Sequence, residues 1–255
     1  MPDNSKGAIL ITGAARRIGR QLALDLAADG YDIALHYNSS ADEAALVAAD
    51  ISQLGRHVIL LQGDLADGDI SERLVGRAVQ QLGGLSVLIN NSSVFEDDEI
   101  GDVSLASWGR HMDVNLRAPV MLSQAFAKAL PTAATGNIIN IIDQRVWKLN
   151  PQFFSYTLSK SGLWTATRTM AQALAPRIRV YASGPGPALP SARMSDGDFE
   201  KQNLSTLLKH GTTPVEISTA AVFILSQPAL TGQMIALDGG QHLLWQTPDI
   251  LEVKE

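Results

Sequence analysis

The segment Ala8-Ile9-Leu10-Ile11-Thr12-Gly13-Ala14-Ala15-Arg16-Arg17-Ile18-Gly19 decides the fold of this chain. Its apolar start predicts a buried β-strand, and the amphipathic residues 20–27 that follow it predict a helix. Between them, the glycines form a turn where backbone N–H groups can approach a pyrophosphate. An ordinary helix start is the alternative, because a GxxxGxG pattern would also place glycine at Arg17. The segment therefore predicts a βα unit with a candidate phosphate site.

Apolar runs of strand length alternate with helix-length segments along the rest of the chain. Continuous apolarity is typical of parallel strands that helices cover on both faces. The pattern predicts one α/β domain over residues 1–255, with a doubly wound parallel sheet. The seven predicted strands are Ala8–Ile11, Ile33–Leu35, Val58–Leu61, Val87–Ile89, Ile138–Ile142, Ile178–Tyr181 and Met234–Leu237, and the longest predicted helix is Gln152–Ala175.

Composition narrows the classes of partner. The chain of 255 residues has a formal net charge of -6 and no cysteine. The acidic balance disfavours nucleic acid and anionic membranes, and the lack of cysteine excludes disulfides and thiolate sites. The five histidines show no ligand spacing, so no metal site is predicted. The segment Met1–Lys6 leads into too short an apolar run for a signal peptide or a membrane span, and we expect a cytoplasmic protein.

Glycine and polar residues follow the predicted strands. The carboxyl ends of parallel strands share one edge of the sheet, where ligands bind, so we expect these groups to converge on one crevice. The groups are Thr12-Gly13-Ala14, Tyr37-Asn38-Ser39-Ser40, Gly63-Asp64, Asn90-Asn91-Ser92-Ser93, Asp143-Gln144-Arg145 and Ser183-Gly184-Pro185-Gly186. The segment Leu189–Gly211 lacks periodicity and predicts a mobile lid with some helix of its own. The acidic run Glu96-Asp97-Asp98-Glu99 is expected to be a solvated loop.

The second predicted strand ends in Asn38-Ser39-Ser40, without a carboxylate. NAD sites usually place an acidic residue there to bind the ribose 2′-hydroxyl. Its absence, with Arg16 or Arg17 nearby, favours NADPH. The alternative is that these residues only turn the chain and that Ser40 caps the next helix. Asp64 is expected to accept from the adenine amino group, although Gly63-Asp64 is also an ordinary turn pair.

Tyr156 and Lys160 lie four residues apart in the longest predicted helix. Side chains at this spacing share a face, so Lys160 is expected to lower the pKa of Tyr156 and make the phenol a proton donor. Asp143 adds a carboxylate after the fifth strand. It can accept from ring N–H groups and, if burial raises its pKa, protonate a ring nitrogen. A pairing of Asp143 with Arg145, without a part in catalysis, is the alternative.

The glycine turn, Asn90-Asn91-Ser92, Asn115 and the Tyr156/Lys160 pair, in this order, resemble the short-chain dehydrogenase/reductase family from Ala8 to Gly240. The resemblance implies a single Rossmann domain and a homotetramer. It also implies that Lys160 bonds the nicotinamide ribose and that Asn115 holds a water linking Lys160 to solvent. The expected cofactor residues are Gly13, Arg16, Arg17, Ile18, Gly19, Asn38, Ser39, Ser40, Asp64, Leu65, Asn91, Ser92, Ser93, Tyr156, Lys160, Pro185 and Gly186.

Asp143 stands where the family usually has serine. Together with the glycine turn, Leu35-His36-Tyr37 and Asn90–Phe95, it resembles the pteridine reductases and dihydromonapterin reductases. The resemblance implies that Arg17 reaches cofactor and substrate, that Ser93 contacts the cofactor, and that Phe95 covers a pterin ring. Phe95 in the core is the alternative, and Trp147 is a weaker candidate for the ring contact. The expected catalytic residues are Asn115, Asp143, Tyr156 and Lys160, and the expected substrate residues are Arg17, Ser93, Phe95, Asp143 and Tyr156.

The resemblance implies that NADPH delivers hydride to a C=N carbon of a pterin, while Tyr156 with Asp143 supplies the proton. Dihydromonapterin, biopterin and folate are the candidate substrates. A serine would donate to a ketone oxygen, which an ionised carboxylate cannot do. An NADPH-dependent carbonyl or 3-oxoacyl reductase and a non-catalytic NADP-binding regulator remain alternatives. The C-terminal tail, residues 241–255, is expected to pack on a neighbouring subunit.

Overall fold

The computed structural model describes residues 5–191, 193–247 and 251, without the side chain of Asp196. It contains one parallel sheet in the order β3-β2-β1-β4-β5-β6-β7, which confirms the predicted seven-stranded doubly wound fold. The described residues do not include residues 1–4 of the N-terminal segment, Ala192 of the predicted lid, or residues 248–250 and 252–255 of the tail. The strands are β1 (Ala8–Ile11), β2 (Asp32–Tyr37), β3 (Val58–Gln62), β4 (Val87–Asn90), β5 (Gly136–Ile141), β6 (Ile178–Pro185) and β7 (Met234–Leu237).

Helices cover both faces of the sheet. Side chains alternate along β1, so Leu10 packs on one face, and Ile9 and Ile11 pack on the other. The first face is covered by α3, α5 and α6, and the second by α1, α2 and α8. The helices are α1 (Arg17–Ala28), α2 (Ala41–Gln53), α3 (Ile70–Leu82), α4 (Leu105–Met112), α5 (Ala118–Ala129), α6 (Phe154–Leu174), α7 (Asp196–Leu204) and α8 (Pro214–Ser226), and a π-helical turn, Asp113–Arg117, joins α4 to α5.

The strand order reverses between β1 and β4. The chain builds β1, β2 and β3 outward in one direction and then returns to place β4 on the other side of β1. In open α/β sheets the crevice outside the carboxyl ends at such a reversal is the usual ligand site. The topology therefore places the candidate site beside the glycine turn that follows β1.

A line of polar side chains crosses the core and fixes the strands behind the site. Asn90 of β4 donates to Asn140 of β5 at 2.8 Å, and Asn140 donates to Thr167 of α6 at 2.8 Å. Buried polar groups cost free energy unless they are paired, so a shifted register of β4 on β5 would leave these amides without partners. The network holds α6, which carries Tyr156, in one position over the sheet.

Several predicted boundaries differ from the structure by one or two residues, and the end of β6 differs by four. Strand β6 continues four residues beyond Tyr181 to Pro185, because its last residues pair with β7. The Ser-Gly-Pro sequence looks like a turn, but Pro185 is the final strand residue, where proline is tolerated. Helix α6 begins at Phe154 rather than Gln152, after Phe153 in the left-handed region at φ 54°. It ends one residue before Ala175, whose extended conformation suits a residue that precedes proline.

The segment predicted as a lid contains helix α7, with Ser195 at its N-cap accepting from Asp198 N–H. No helix in the described parts of the chain is long and apolar enough to cross a membrane.

Candidate active site

A cleft of about 500 Å³ opens at the carboxyl ends of β1 to β4. Its wall also contains Tyr37, which belongs to a strand-end group expected at the crevice. Four further wall residues had no predicted part in the site, namely His36, Val94, Arg110 and Val114. Among the predicted residues, Asn115, Asp143, Lys160, Pro185 and Gly186 are not part of this wall. The predicted residues that line it are Gly13, Arg16, Arg17, Ile18, Gly19, Asn38, Ser39, Ser40, Asp64, Leu65, Asn91, Ser92, Ser93, Phe95 and Tyr156.

The glycine turn is packed tightly against the end of β4. A Cβ atom at Gly19 would lie 2.1 Å from the Gly13 carbonyl oxygen, so only glycine fits there. Asn91 Nδ2 donates to the carbonyls of Thr12 at 2.8 Å and Gly13 at 3.1 Å. The Thr12 hydroxyl accepts from the backbone N–H groups of Asn91 and Ser92. These bonds fix the conformation of the turn at the edge of the cleft.

Arg17 has a left-handed backbone, with φ 54°, at the position where a GxxxGxG pattern has its second glycine. A non-glycine residue there costs about 1 kcal/mol or more. Its guanidinium donates to two lid carbonyls, Pro190 O at 2.9 Å and Leu189 O at 3.3 Å. The turn thus keeps the geometry of the glycine pattern, and the arginine that replaces glycine reaches across the cleft.

His36, at the penultimate position of β2, joins two strand ends. Its Nδ1 accepts from Gly13 N–H at 3.2 Å, which leaves Nε2 to donate to Gly63 O at 3.0 Å. Burial lowers the pKa of His36 to about 4, so the ring is neutral. In the sequence, His36 belongs to the Leu35-His36-Tyr37 motif of the resemblance but has no predicted role of its own. The signal that could have identified His36 is a polar ring inside an otherwise apolar strand, next to the glycine turn.

The polar corner at the end of β2 lies open at the cleft. Ser40 precedes α2 without a side-chain capping bond, so the alternative of a mere helix cap finds no support in the geometry. Arg16 Nη1 lies 3.8 Å from Glu43 Oε1, and both side chains are well exposed. Exposed ion pairs of this kind contribute little, so Arg16 is available to a bound phosphate. Asn38, Ser39 and Ser40 present hydrogen-bonding groups beside it.

Asp64 has a partner at each carboxylate oxygen. Its Oδ1 accepts from Ala66 N–H at 2.9 Å, and its Oδ2 accepts from Arg110 at 3.0 Å. The Ala66 bond, with the Arg110 contact, holds the pKa of Asp64 below its usual value. Arg110 lies on α4, one turn before Val114. An adenine amino group at Asp64 would share Oδ2 with Arg110.

Tyr156 and Asp143 are in direct contact. Tyr156 Oη donates to Asp143 Oδ2 at 2.8 Å, and Asp143 Oδ1 accepts from Arg145 N–H at 2.8 Å. The Arg145 guanidinium donates instead to Asn150 Oδ1 at 2.6 Å. Asp143 therefore contacts Arg145 through a backbone hydrogen bond and not through the guanidinium. This bond orients the carboxylate towards Tyr156.

The pKa of Tyr156 in this pair differs from the expectation, whereas that of Asp143 does not. Burial raises the pKa of Asp143, as predicted. Burial and the Asp143 carboxylate raise the pKa of Tyr156 well above its usual value, so the predicted lowering by Lys160 is wrong for this arrangement. Lys160 Nζ donates to Ile141 O at 2.9 Å and lies 5.8 Å from the Tyr156 ring centroid. Burial lowers the pKa of Lys160 to about 8. Burial and the Asp143 carboxyl group, rather than Lys160, therefore determine the direction of the pKa shift of the Tyr156 phenol.

Asn115 connects the loop after β4 to α6. Its side chain accepts from Val94 N–H at 2.8 Å and donates to Val94 O at 2.9 Å. It also donates to Ser159 Oγ at 3.1 Å, one residue before Lys160. The amide is thus used to position the loop and the helix. The water-holding role of Asn115 stays a prediction.

Phe95 lies at the cleft wall and is partly exposed, rather than in the core. Its ring stacks on Phe153 at a centroid distance of 4.2 Å and meets the Tyr156 ring edge-on at 4.7 Å. Arg193, from the predicted lid, donates to Phe95 O and to Glu96, each at 2.6 Å. Trp147, the weaker candidate, contacts Trp164 and His242 instead. Phe95 is thus the aromatic ring placed beside Tyr156.

Two smaller expectations also meet the structure here. Asp98 of the acidic run is only 5% exposed, which corrects the expectation of a solvated loop for that residue. Of the tail, His242 packs on Trp147 of its own chain, whereas Leu243 and Trp245 are each 58% exposed. Among the described residues, no group of three His, Cys, Asp or Glu side chains is placed to hold a metal ion.

Residues 7–201 match the short chain dehydrogenase family. A 3-oxoacyl-[acyl-carrier-protein] reductase, FabG, of Staphylococcus epidermidis is 32% identical over 92% of this chain and 98% of its own length. The structure of FolM Alternative dihydrofolate reductase 1 from Brucella suis, in complex with NADP, is 49% identical, with a TM-score of 0.94 over 97% of this chain and 99% of that one. Its counterpart from Brucella canis, complexed with NADP, is 48% identical, with a TM-score of 0.93 over 97% of this chain and 98% of that one. These two complexes hold the cofactor that the sequence predicts.

Proposed function

The chain belongs to the short-chain dehydrogenase family, and we propose that it is an NADPH-dependent reductase of the C=N bond of a dihydropterin. Dihydromonapterin, dihydrobiopterin and dihydrofolate are the candidate substrates. The products are the tetrahydropterin and NADP⁺. Two structures that support this proposal, at 49% and 48% identity, carry the name alternative dihydrofolate reductase.

The hydrogen bond from Tyr156 to Asp143 carries the proposal. A ketone gains negative charge on oxygen as it is reduced, so its site needs two hydrogen-bond donors. An ionised carboxylate at Asp143 would repel that charge and would also take the phenol proton for itself. A pterin offers ring N–H groups to the carboxylate, and a ring nitrogen that needs a proton. The carboxyl group therefore suits the heterocycle better than the ketone.

The cleft has a place for each part of the cofactor. The turn around Gly13 suits the pyrophosphate, Arg16 with Ser39 suits the 2′-phosphate, and Asp64 suits the adenine. We assign the nicotinamide ribose to Lys160, which lies buried behind Tyr156. When bound, NADPH supplies the hydride.

The proton comes from the chain itself. Phe95 covers one face of the pterin, since flat heterocycles favour aromatic faces. Tyr156 gives its phenolic proton to the ring nitrogen beside the carbon that accepts hydride. Once Asp143 has taken a proton from solvent, which its raised pKa favours, it donates to the phenol oxygen and returns that proton. Positioned proton transfer of this kind contributes about 10² to 10⁴ in rate.

A 3-oxoacyl reductase is the second candidate, because the FabG relative is 32% identical to this chain over nearly its whole length. That similarity extends over 92% of the chain and supports the shared fold. It gives no reason for a carboxylate at Asp143 beside Tyr156. A substrate panel separates the two candidates.

The test measures NADPH oxidation with dihydromonapterin, dihydrobiopterin, dihydrofolate, a 3-oxoacyl thioester and simple ketones. We expect turnover with at least one pterin and a kcat/KM for it that exceeds those of the carbonyl compounds. Turnover of carbonyl compounds alone would overturn the proposal. Asp143→Ser is the matched variant, and its ratio of ketone to pterin activity should rise above that of the parent.

A cytoplasmic homotetramer remains the proposed assembly and location. Val215 and Phe223 of α8 are 53% and 52% exposed on a helix beside the edge strand β7, which is a surface that a second copy could cover. A chain without cysteine needs no oxidising compartment. Light scattering should give four times the mass of the chain, and a monomer would contradict the prediction.

A further inference from the structure

We propose that Asp98, Ser155 and His111 form a buried clamp that fixes the loop carrying Phe95 against the start of α6. We call these three residues the substrate-loop clamp. Its role is to hold the Phe95 ring in its contact with Tyr156, and thereby to fix the aromatic face on which a flat substrate can stack beside the phenol. The inference rests on the proposed function, because the position of that face matters only to a planar heterocycle.

The three side chains come from distant parts of the chain. Ser155 N–H donates to Asp98 Oδ1 at 2.9 Å, and the Ser155 hydroxyl contacts both Asp98 Oδ2 and His111 Nδ1. Ser107, on α4, donates to Asp98 Oδ2 at 2.5 Å. Ser155 and His111 are fully buried. The loop, α4 and α6 therefore meet at one hydrogen-bonded point.

The hydrogen bonds assign every proton in the clamp. Glu96 N–H donates to His111 Nε2 at 3.0 Å, so that nitrogen carries no proton. Burial lowers the pKa of His111, which makes the neutral ring the stable form despite the nearby Asp98. The ring proton is then on Nδ1 and points to Ser155 Oγ, and the serine proton points to Asp98. Although burial acts to raise the pKa of Asp98, the bonds from Ser107 and Ser155 lower it overall, so it is a carboxylate acceptor.

A serine, a histidine and an aspartate together could suggest a nucleophile, but the geometry opposes that reading. In a catalytic triad the carboxylate orients the histidine and the serine is exposed to substrate. Here Asp98 Oδ2 accepts from Ser155 and lies 3.8 Å from His111 Nδ1. The Ser155 hydroxyl is fully buried and uses its proton within the clamp. The cluster can position neighbouring groups and cannot attack a substrate.

The position of the clamp indicates what it holds. His111 fixes the backbone of Glu96, the residue after Phe95, while Asn115 fixes Val94, the residue before it. Ser155 is the residue before Tyr156 in α6. The clamp thus holds the backbone next to Phe95 and next to Tyr156, whose rings meet at a centroid distance of 4.7 Å.

Two substitutions of His111 separate its two bonds. In His111→Asn the amide occupies the place of Nδ1, so the bond to Ser155 is kept and the bond to Glu96 is lost. In His111→Gln the longer side chain reaches the place of Nε2, so the bond to Glu96 is kept and the bond to Ser155 is lost. His57→Asn is the matched control, because His57 is exposed and away from the cleft.

We expect His111→Asn to raise the KM for the pterin about three- to tenfold, the range expected for one lost hydrogen bond. The KM for NADPH and the rise of the thermal midpoint that NADPH binding causes should change little, because the cofactor half of the cleft is untouched. His111→Gln should raise the pterin KM less than His111→Asn does, and His57→Asn should not change it. Ser155→Ala loses the hydroxyl bonds to both Asp98 and His111, so it should raise the pterin KM at least as much as His111→Gln does, and it serves as the readout if His111→Asn fails to fold.

An unchanged pterin KM in both His111→Asn and Ser155→Ala would overturn the clamp. An equal rise of the KM values for pterin and NADPH would also overturn it, since that result indicates general loosening of the fold. If the parent protein turns over no pterin at all, the proposed function fails first, and the failure is visible before any variant is made.

Discussion

The cofactor half and the substrate half of the cleft are built from different kinds of contact. In the cofactor half, Thr12, His36 and Asn91 bond to backbone groups of neighbouring strand ends, so the sheet itself holds their positions. In the substrate half, Phe95 lies on a partly exposed loop, and Arg193 reaches it from the predicted lid.

This difference separates what the fold supplies from what is particular to this chain. A frame of strand ends serves any reaction that uses the same dinucleotide. A substrate site made from a loop, a lid and one unusual carboxyl group can change in specificity without disturbing that frame. Substitutions in one half should therefore leave the kinetic constants of the other half nearly unchanged, and the following predictions test that separation.

The largest effect is expected for Tyr156→Phe. The variant removes the phenolic proton and keeps the ring that meets Phe95, so kcat for the pterin should fall about 10²- to 10⁴-fold. NADPH affinity, measured by fluorescence titration, should stay within about twofold of the parent. A variant that keeps most of its kcat would show that another group supplies the proton.

Asp143→Asn should be the next largest. It keeps the size of the side chain and removes the ionisable group, so kcat should fall about a hundredfold while NADPH affinity is retained. Asn150→Ala, which removes the partner of Arg145 without touching the carboxyl, is the matched control. Equal losses in the two variants would indicate a structural role for the region rather than proton transfer by Asp143.

The dependence of kcat on pH tests the role of Asp143 in a second way. Burial raises the pKa of Asp143, so its protonated form persists to higher pH than that of an ordinary aspartate. The kcat for the pterin should decline as the pH rises through that pKa, because the phenol loses its source of protons. In Asp143→Asn this limb should disappear. The same burial makes the ionised carboxyl costly to the fold, so the thermal midpoint of the variant, relative to the parent, should increase as the pH rises from the ordinary aspartate pKa through the raised pKa of Asp143.

The sequence predicted the strands and most of the cleft wall because these depend on local patterns. Continuous apolar runs and the glycine turn carry their own signal, and Tyr156 and Lys160 are related by helix geometry alone. Asp98 was misjudged because its partner Ser155 lies 57 residues away, and no local pattern distinguishes a buried carboxylate from a solvated one.

The pKa of Tyr156 and the role of His36 could not be predicted for a similar reason. The spacing of Tyr156 and Lys160 suggested a direct electrostatic effect, but the bond from Tyr156 to Asp143 spans 13 residues and two elements. His36 was missed because its two partners lie 23 and 27 residues away. Most of the residues that line the cleft could be predicted from the sequence, whereas the partners of their hydrogen bonds required the packed structure.

His36→Leu tests the cofactor half and should have a smaller effect than the catalytic variants. It removes the bonds to Gly13 and Gly63, and the Kd for NADPH should rise about tenfold, with kcat nearly unchanged at saturating cofactor. His36→Asn can still accept from Gly13, and His36→Gln can still donate to Gly63, so each should lie between the parent and the leucine variant. A rise in the pterin KM alone would contradict the separation of the two halves.

Arg193→Gln should give the smallest effect and bears most directly on the lid. Arg193 pairs with Glu96 while about half exposed, so the ion pair itself contributes little, and the bond to Phe95 O contributes the rest. We expect the pterin KM to rise about threefold with the Kd for NADPH unchanged. Lys201→Gln is the matched control, since it removes one positive charge from the exposed side of α7 in the same segment. If both variants raise the pterin KM equally, the lid acts through its overall charge. If only Arg193→Gln does so, the lid contributes by holding the backbone of Phe95, and the substrate half then depends on three separate attachments of one loop, at Val94, Phe95 and Glu96.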